Sequence, residues 1–143
     1  MIIYKALVVD DEVNNILLIK HFINKYCQNI QIVGEAATAG SAISLINELE
    51  PDILLLDIWL HGKDIFDMLD LIKIPRAQVL FVTSHEEYAV NASRYVEIDY
   101  ILKPIIIEEL IHSVSKSILK IEKQQYFDFR KGSEIARIKK RSI

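Results

Sequence analysis

The chain has 143 residues, 51% of them hydrophobic and 26% charged, which is the composition of an ordinary globular domain with a sizeable core. Its single cysteine excludes a disulfide framework, and no uncharged apolar run reaches the roughly 18–20 residues that span a bilayer. The N-terminus also lacks the pattern of a signal peptide, so we expect a cytoplasmic protein without membrane contact.

Five short runs rich in Ile, Val and Leu predict five β-strands. Most of their apolar residues do not alternate with polar ones, which is typical of parallel strands that helices cover on both faces. The runs lie at residues 5–10, 30–36, 52–57, 78–83 and 99–103. Apolar residues at helical spacing predict five helices, at residues 13–26, 39–49, 64–73, 85–96 and 105–124. This order predicts a doubly wound α/β fold, with a five-stranded parallel sheet and right-handed crossovers.

The charge is distributed unevenly between the body and the tail of the chain. Residues 1–119 hold 9 Lys and Arg against 17 Asp and Glu, whereas residues 120–143 hold 8 against 3. An acidic body with a basic tail indicates two units, or one unit and the start of another.

Polar side chains stand at the carboxyl ends of four predicted strands. Asp10 and Asp11 end the first strand and Asp57 ends the third, while Thr83 and Lys103 end the fourth and fifth. Ligands of doubly wound sheets bind at the carboxyl ends of the strands, where the strand order switches. These five residues therefore predict one functional site.

The acids in this set favour a magnesium site. Mg²⁺ takes oxygen ligands, usually one or two protein carboxylates with water and phosphate oxygens completing the shell. We expect Asp11 and Asp57 to bind the ion directly and Asp10 to bind it through water. A backbone carbonyl just after Asp57, that of Trp59, is a further candidate ligand. A bound cation would relieve the repulsion between the carboxylates.

A carboxylate can also attack phosphorus and form an aspartyl phosphate. Asp57 is the expected nucleophile, because it is the single acid at the end of the central apolar run and the paired acids suit the metal better. Phosphoryl transfer requires alignment and neutralisation of the equatorial oxygens. Lys103 can pair with one of these oxygens, and the Thr83 hydroxyl can donate a hydrogen bond to another.

Four segments resemble the receiver domain of bacterial response regulators, over residues 2 to about 124: "LVVDDE", "DILLLDI", "FVTSHEEYA" and "DYILKPI". The resemblance implies a flavodoxin-like receiver fold. It also implies that Asp57 accepts a phosphoryl group from a sensor histidine kinase, with Mg²⁺ held by Asp10 and Asp11.

The same resemblance implies roles for three further positions. Thr83 and Lys103 would contact the phosphate. Thr83 and Tyr100 would form the switch, in which the Tyr100 ring turns inward on activation. The Lys103–Pro104 peptide bond would be cis, which is physically accessible because X–Pro bonds lose most of the preference for trans.

The segment "FVTSHEEYAVNASRYVEIDYILKPI" resembles a subgroup of the family whose output is a LytTR-type DNA-binding domain. The tail "YFDFRKGSEIARIKKRSI" alternates apolar and polar residues around a turn-like "KGS" and resembles the first strands of such a domain, although it is too short to fold as one. We therefore expect a receiver domain over residues 1–124, and a linker with a truncated start of the LytTR-type domain over residues 125–143. The alternative for the tail is a solvated basic segment.

We expect the protein to be a phosphorylation-dependent switch that regulates transcription. We do not expect it to be an enzyme. Phosphorylation would favour a homodimer through the fourth helix, the fifth strand and the fifth helix, and DNA would be contacted only through the domain that this chain lacks. One alternative is a stand-alone receiver module without DNA output. A weaker alternative is a haloacid-dehalogenase-like phosphatase, whose Asp nucleophile is followed two residues later by an Asp that acts as general acid. Here Trp59 occupies that position after Asp57.

One loop departs from the family pattern. After Asp57 the family usually has a Pro and then a Gly, where this chain has His61 and Ile65. If the Gly position requires a positive φ, Ile65 would be strained there. Gly62 is the alternative residue to carry the turn.

Overall fold

The computed structural model describes residues 1–65, 77–85 and 99–141. Most of the helix predicted at 64–73 and most of the helix predicted at 85–96 lie outside these stretches.

The described residues form seven strands and three helices. Five strands form one parallel sheet in the order β2–β1–β3–β6–β7, which confirms the predicted doubly wound sheet. The strand order reverses beside β1, and this reversal creates the crevice in which such sheets bind ligands. The elements are β1 (Tyr4–Val9), α1 (Val13–Tyr26), β2 (Ile30–Ala36), α2 (Ala39–Leu49), β3 (Ile53–Leu56), β4 (Trp59–Leu60), β5 (Lys63–Asp64), β6 (Gln78–Thr83), β7 (Asp99–Leu102) and α3 (Ile107–Arg141).

Both faces of the sheet are buried. Ala6 and Val8 of β1 belong to a core cluster that includes buried residues of α1 and α3. Leu7 and Val9 point to the other face and belong to a second cluster, which includes buried residues of α2. The strands therefore carry apolar residues at consecutive positions, because helices cover both sides of the sheet.

Helices α1 and α2 have the bounds that their apolar spacing predicts. In α1, the buried Ile16, Ile19 and Ile23 recur at intervals of three and four residues. Helix α2 begins after Thr38, whose side-chain oxygen accepts a hydrogen bond from the Ser41 amide at 3.1 Å. This cap satisfies one of the N–H groups that the first turn leaves open. Within the described part of the chain, no helix has both the length and the hydropathy to cross a membrane.

The segment after β3 forms an antiparallel hairpin that the sequence analysis does not predict. Strands β4 and β5 pair on either side of His61 and Gly62, which have φ of 48° and 78°. Positive φ at both central residues is the signature of a type I′ turn, the preferred two-residue hairpin connection. Ile65 has no positive φ and is 1% exposed in the second core cluster. The turn is therefore carried by His61 and Gly62, and the strain considered for Ile65 does not arise.

Helix α3 continues from Ile107 to Arg141. The predicted fifth helix is confirmed, but the strands predicted from the alternation in the tail are wrong, because the described tail is helical. A helix satisfies its backbone hydrogen bonds within the segment, whereas a strand requires a neighbouring strand. Every residue over 122–132 is exposed, so this part of α3 lies outside the core. The assignment of residues 125–143 to the start of an output domain stays a prediction.

Candidate functional site

Strand pairing brings the predicted site residues together at the carboxyl edge of the sheet. Val9 pairs with Leu56, and the Asp57 amide donates to the Val9 carbonyl at 2.9 Å, so Asp57 lies beside the residues that follow β1. At the neighbouring strands, the Lys103 amide donates to the Thr83 carbonyl at 2.9 Å. Backbone pairing alone thus places the ends of four strands next to one another.

Three carboxylates converge at this edge. One oxygen each of Asp10, Asp11 and Asp57 lies within 4.8 Å of the other two. Asp10 is 1% exposed and Asp57 is 7% exposed, while Asp11 is half-buried. The Glu12 amide donates to Asp10 Oδ1 at 2.9 Å. Buried carboxylates at this separation repel one another and resist desolvation, so the cluster requires compensating positive charge.

The Lys103 ammonium provides part of this compensation. Its Nζ lies 2.6 Å from Asp10 Oδ2 and 3.0 Å from Asp57 Oδ2. Burial lowers the pKa of Lys103, but the hydrogen bond with Asp10 and the charge of Asp57 outweigh burial, so the pKa is raised. Lys103 is therefore a cation near neutral pH. Three carboxylates against one ammonium leave the cluster with an excess of negative charge.

The hairpin formed by β4 and β5 contributes two backbone donors to the same acids. The Trp59 amide donates to Asp57 Oδ1 at 3.1 Å, and the His61 amide donates to Asp11 Oδ2 at 3.1 Å. These donors could not be predicted from the sequence, because every residue type except proline carries the same backbone N–H group. The dipeptide of His61 and Gly62 was the one local signal of a turn.

Two hydrogen bonds connect Thr83 to Tyr100 through the backbone of His85. Thr83 is fully buried, and its Oγ1 accepts a hydrogen bond from the His85 amide at 3.2 Å. The Tyr100 hydroxyl donates to the His85 carbonyl at 2.6 Å. Tyr100 is half-buried and packs against the second core cluster. The backbone at position 85 thus links the two residues predicted to act as a switch, a connection that the sequence analysis missed.

Side-chain contacts also join the two loops that flank the site. The rings of Trp59 and His85 lie 5.7 Å apart between centroids, at an angle of 39°. This contact brings the loop after β3 against the loop after β6. The Trp59 carbonyl remains a predicted metal ligand. The peptide bond between Lys103 and Pro104 is cis.

The donor set fits a magnesium ion. Asp10, Asp11 and Asp57 offer convergent carboxylate oxygens, which are the ligands that this hard cation prefers. The excess of negative charge that Lys103 leaves uncompensated would also favour a divalent cation. The acidic cluster is therefore compatible with Mg²⁺ binding.

Comparison with known proteins shows the family. Residues 6–115 match the family model described as the response regulator receiver domain. This match covers more than half of the chain, and the chain belongs to the receiver domain family of response regulators.

The relatives are bacterial regulators longer than this chain. The sensory transduction protein LytT of Bacillus anthracis is 32% identical over 137 residues, a match that covers 92% of this chain and 54% of LytT. The transcriptional regulatory protein BtsR of Salmonella typhi is 39% identical over 107 residues, covering 71% of this chain and 42% of BtsR. The chain thus spans about half of these relatives' length, or less.

Solved structures agree with the fold. The response regulatory domain of the protein mrkE from Klebsiella pneumoniae is 26% identical with a TM-score of 0.75, and the match covers 83% of this chain and 98% of that domain. The receiver domain of a Luxo repressor protein from Vibrio parahaemolyticus is 25% identical, also with a TM-score of 0.75, over 88% of this chain and 98% of the other. These likenesses confirm the flavodoxin-like receiver fold.

Proposed function

We propose that this chain is the phosphoacceptor part of a LytTR-type two-component transcription regulator, and that Asp57 accepts a phosphoryl group from a sensor histidine kinase. The observation that carries this proposal is the position of Lys103, which bridges Asp10 and Asp57 beside Asp11. A buried cation within reach of both the nucleophile and the metal cluster is the arrangement that phosphoryl transfer requires.

The transfer proceeds by attack of an Asp57 carboxylate oxygen on the phosphorus of a phosphohistidine. The oxygen–phosphorus bond forms while the phosphorus–nitrogen bond breaks, and the electron pair of that bond stays on the histidine nitrogen, which takes up a proton. Before the reaction, the Trp59 amide and the Lys103 ammonium hold the two Asp57 oxygens in place. This fixed orientation lowers the entropic cost of attack.

Lys103 and Thr83 then stabilise the transferred group. Lys103 exchanges part of its interaction with the carboxylates for an interaction with one phosphoryl oxygen. The Thr83 hydroxyl donates a hydrogen bond to another, because the His85 amide uses Thr83 Oγ1 only as an acceptor. Asp10, Asp11 and Asp57, with the Trp59 carbonyl, would hold Mg²⁺. When bound, this ion supplies positive charge that offsets the charge on the phosphoryl oxygens.

The similarity to LytT supports the proposed output. Coverage of 92% of this chain must include most of the tail that follows residue 115, where the family match ends. We assign residues 1–124 to the receiver domain and residues 125–143 to the linker and the start of the output domain. DNA would be contacted only through the part of the protein that follows, in the cytoplasm, and the receiver would act as a switch and not as an enzyme.

Tyr100 would transmit the conformational change from the phosphorylation site to the surface of the domain. A phosphoryl group that draws the Thr83 hydroxyl towards it would move the backbone at His85, to which the Tyr100 hydroxyl is bonded. A change in the Tyr100 rotamer would remodel the surface around β7 and α3 and favour a symmetric homodimer. Such a switch needs only a few kcal/mol, because it shifts the populations of two states.

A phosphodonor experiment tests the site. Incubation with acetyl phosphate and Mg²⁺ should raise the intact mass by one phosphoryl group, and Asp57→Asn should abolish this increase. Asp52→Asn is the matched control, because Asp52 lies at the opposite end of β3 and accepts the Lys5 amide. Stoichiometric labelling of the Asp57→Asn variant would contradict the assignment.

A further inference from the structure

The turn between β4 and β5 has an unusual backbone at an exposed position. His61 has a φ of 48°, and the other described non-glycine residue with positive φ is Glu50, at the C-terminal end of α2. L-residues avoid this region because the Cβ crowds the backbone carbonyl. The His61 side chain is exposed, so no burial of this side chain offsets the cost of its backbone conformation.

The hairpin is anchored to the core below the turn. Leu60 is 5% exposed and Ile65 is 1% exposed, and both belong to the second core cluster. The Ile65 amide donates to the Ile58 carbonyl at 2.7 Å and closes the base of the hairpin. The position of the turn is therefore fixed by core packing as well as by its own backbone.

The closed turn holds an amide against a metal-site carboxylate. The His61 amide donates to Asp11 Oδ2 at 3.1 Å, across a separation of 50 positions in the chain. Among the described residues this is the hydrogen bond that holds the Asp11 side chain, and the other carboxylate oxygen of Asp11 has no protein donor there. The positive φ at His61 and Gly62 lets the chain reverse so that β5 pairs with β4, and this pairing holds the peptide plane between Leu60 and His61, with its N–H, against Asp11. An extended backbone at position 61 would prevent the reversal and release that peptide plane.

We propose that the turn formed by His61 and Gly62 is a positioning element of the metal site, which fixes the Asp11 carboxylate for Mg²⁺ through the His61 backbone amide. The proposal rests on the Mg²⁺-dependent function proposed above. It assigns no role to the imidazole: what matters at position 61 is a residue that tolerates the left-handed conformation. Any residue that tolerates positive φ should therefore replace His61.

The experiment compares Mg²⁺ affinity in variants of position 61. Asn and Gly adopt positive φ readily, so His61→Asn and His61→Gly should keep the dissociation constant for Mg²⁺ within about twofold of the unmutated chain. A β-branched side chain disfavours this conformation, and His61→Val should weaken Mg²⁺ binding by about tenfold. Calorimetric titration, together with the fluorescence of Trp59, the single tryptophan, measures the affinity directly.

Two further variants separate positioning from loss of stability. Glu50→Val places the same strain at the opposite end of β3, so it should lower the melting temperature and leave Mg²⁺ affinity unchanged. Gly62→Ala is a milder change at the turn, since its new Cβ would meet nothing within 4 Å and only the backbone at φ 78° is strained. It should weaken Mg²⁺ binding in the same direction as His61→Val.

The outcomes distinguish this proposal from the proposed function. If the unmutated chain does not bind Mg²⁺, both are overturned. If it binds Mg²⁺ and both His61→Val and Gly62→Ala bind equally well, only the positioning role is overturned. The role is also overturned if His61→Asn weakens binding as much as His61→Val, which would assign the effect to the imidazole, or if Glu50→Val weakens it as much.

Discussion

The Lys103 ammonium lies 2.6 Å from the Asp10 carboxylate, although 93 positions separate the two residues in the chain. The side chain of Lys103 is 14% exposed and that of Asp10 is 1% exposed, so the pair is largely removed from water. An ion pair of this kind is costly to break, because the remaining charge has no solvent to replace its partner.

Lys103→Met should therefore destabilise the chain by about 3 kcal/mol in the absence of metal, since it leaves the buried carboxylates without their cation. Urea denaturation in the presence of a chelator measures the free energy of unfolding. Millimolar Mg²⁺ should restore part of the loss, because it replaces the missing positive charge. Lys20→Met is the control: its ion pair with Glu35 is exposed and should contribute less than about 1 kcal/mol. Equal losses in the two variants would contradict the role of Lys103 as the counter-charge.

Asp11→Asn should raise the stability of the metal-free chain by about 1 kcal/mol, because it removes one of three converging negative charges. The asparagine side chain keeps a carbonyl oxygen that can accept the His61 amide, so the hairpin contact is preserved. The same variant should lose the increase in melting temperature that Mg²⁺ produces in the unmutated chain. Asp128→Asn, on the exposed part of α3, should change neither quantity. If the unmutated chain has the same melting temperature with and without millimolar Mg²⁺, the metal site is contradicted.

Beryllofluoride, a mimic of the phosphoryl group, should shift the chain from monomer to dimer at tens of micromolar in sedimentation velocity. Tyr100→Phe removes the hydrogen bond to the His85 carbonyl and should weaken this dimerisation roughly fivefold, as expected for one hydrogen bond of about 1 kcal/mol. Tyr26→Phe, at an exposed tyrosine of α1, is the control and should dimerise like the unmutated chain. An unchanged mass with beryllofluoride would show that dimerisation is not the output of this chain.

A chain that ends at residue 124 should melt within about 2 °C of the full chain, because residues 122–132 are exposed and carry little of the core. A chain that ends at Ser117 is the matched comparison. It loses the buried Ile118 and Ile121 and should be destabilised by several kcal/mol. If both truncations melt alike, the proposed domain boundary near residue 124 is wrong.

Much of the fold follows from local pattern. Runs of Ile, Val and Leu without alternation predict buried parallel strands, and all five predicted strands form within one residue of their expected bounds. The bounds of α1 and α2 follow from apolar spacing in the same way. These elements are predictable because the spacing of apolar residues that marks a strand or a helix is visible among residues close together in the sequence.

The tail shows where local pattern fails. Alternating apolar residues after residue 126 predict strands, but a strand is stable only against a neighbour, and no strand in the described part of the chain pairs with this segment. A helix completes its own hydrogen bonds, and the same residues therefore extend α3.

The sequence by itself determined which side chains gather at the carboxyl edge of the sheet, because parallel strands place their ends at one edge and the apolar runs mark those ends. Only the tertiary structure decided how the acids there are held. The Lys103 ammonium forms ion pairs with two of these carboxylates. The backbone amides of Trp59 and His61, in a hairpin that the sequence did not predict, donate hydrogen bonds to the acids. Contacts of this kind depend on backbone N–H groups and on distances across the sheet. Neither is encoded by residue type, so they exist only once the chain has folded.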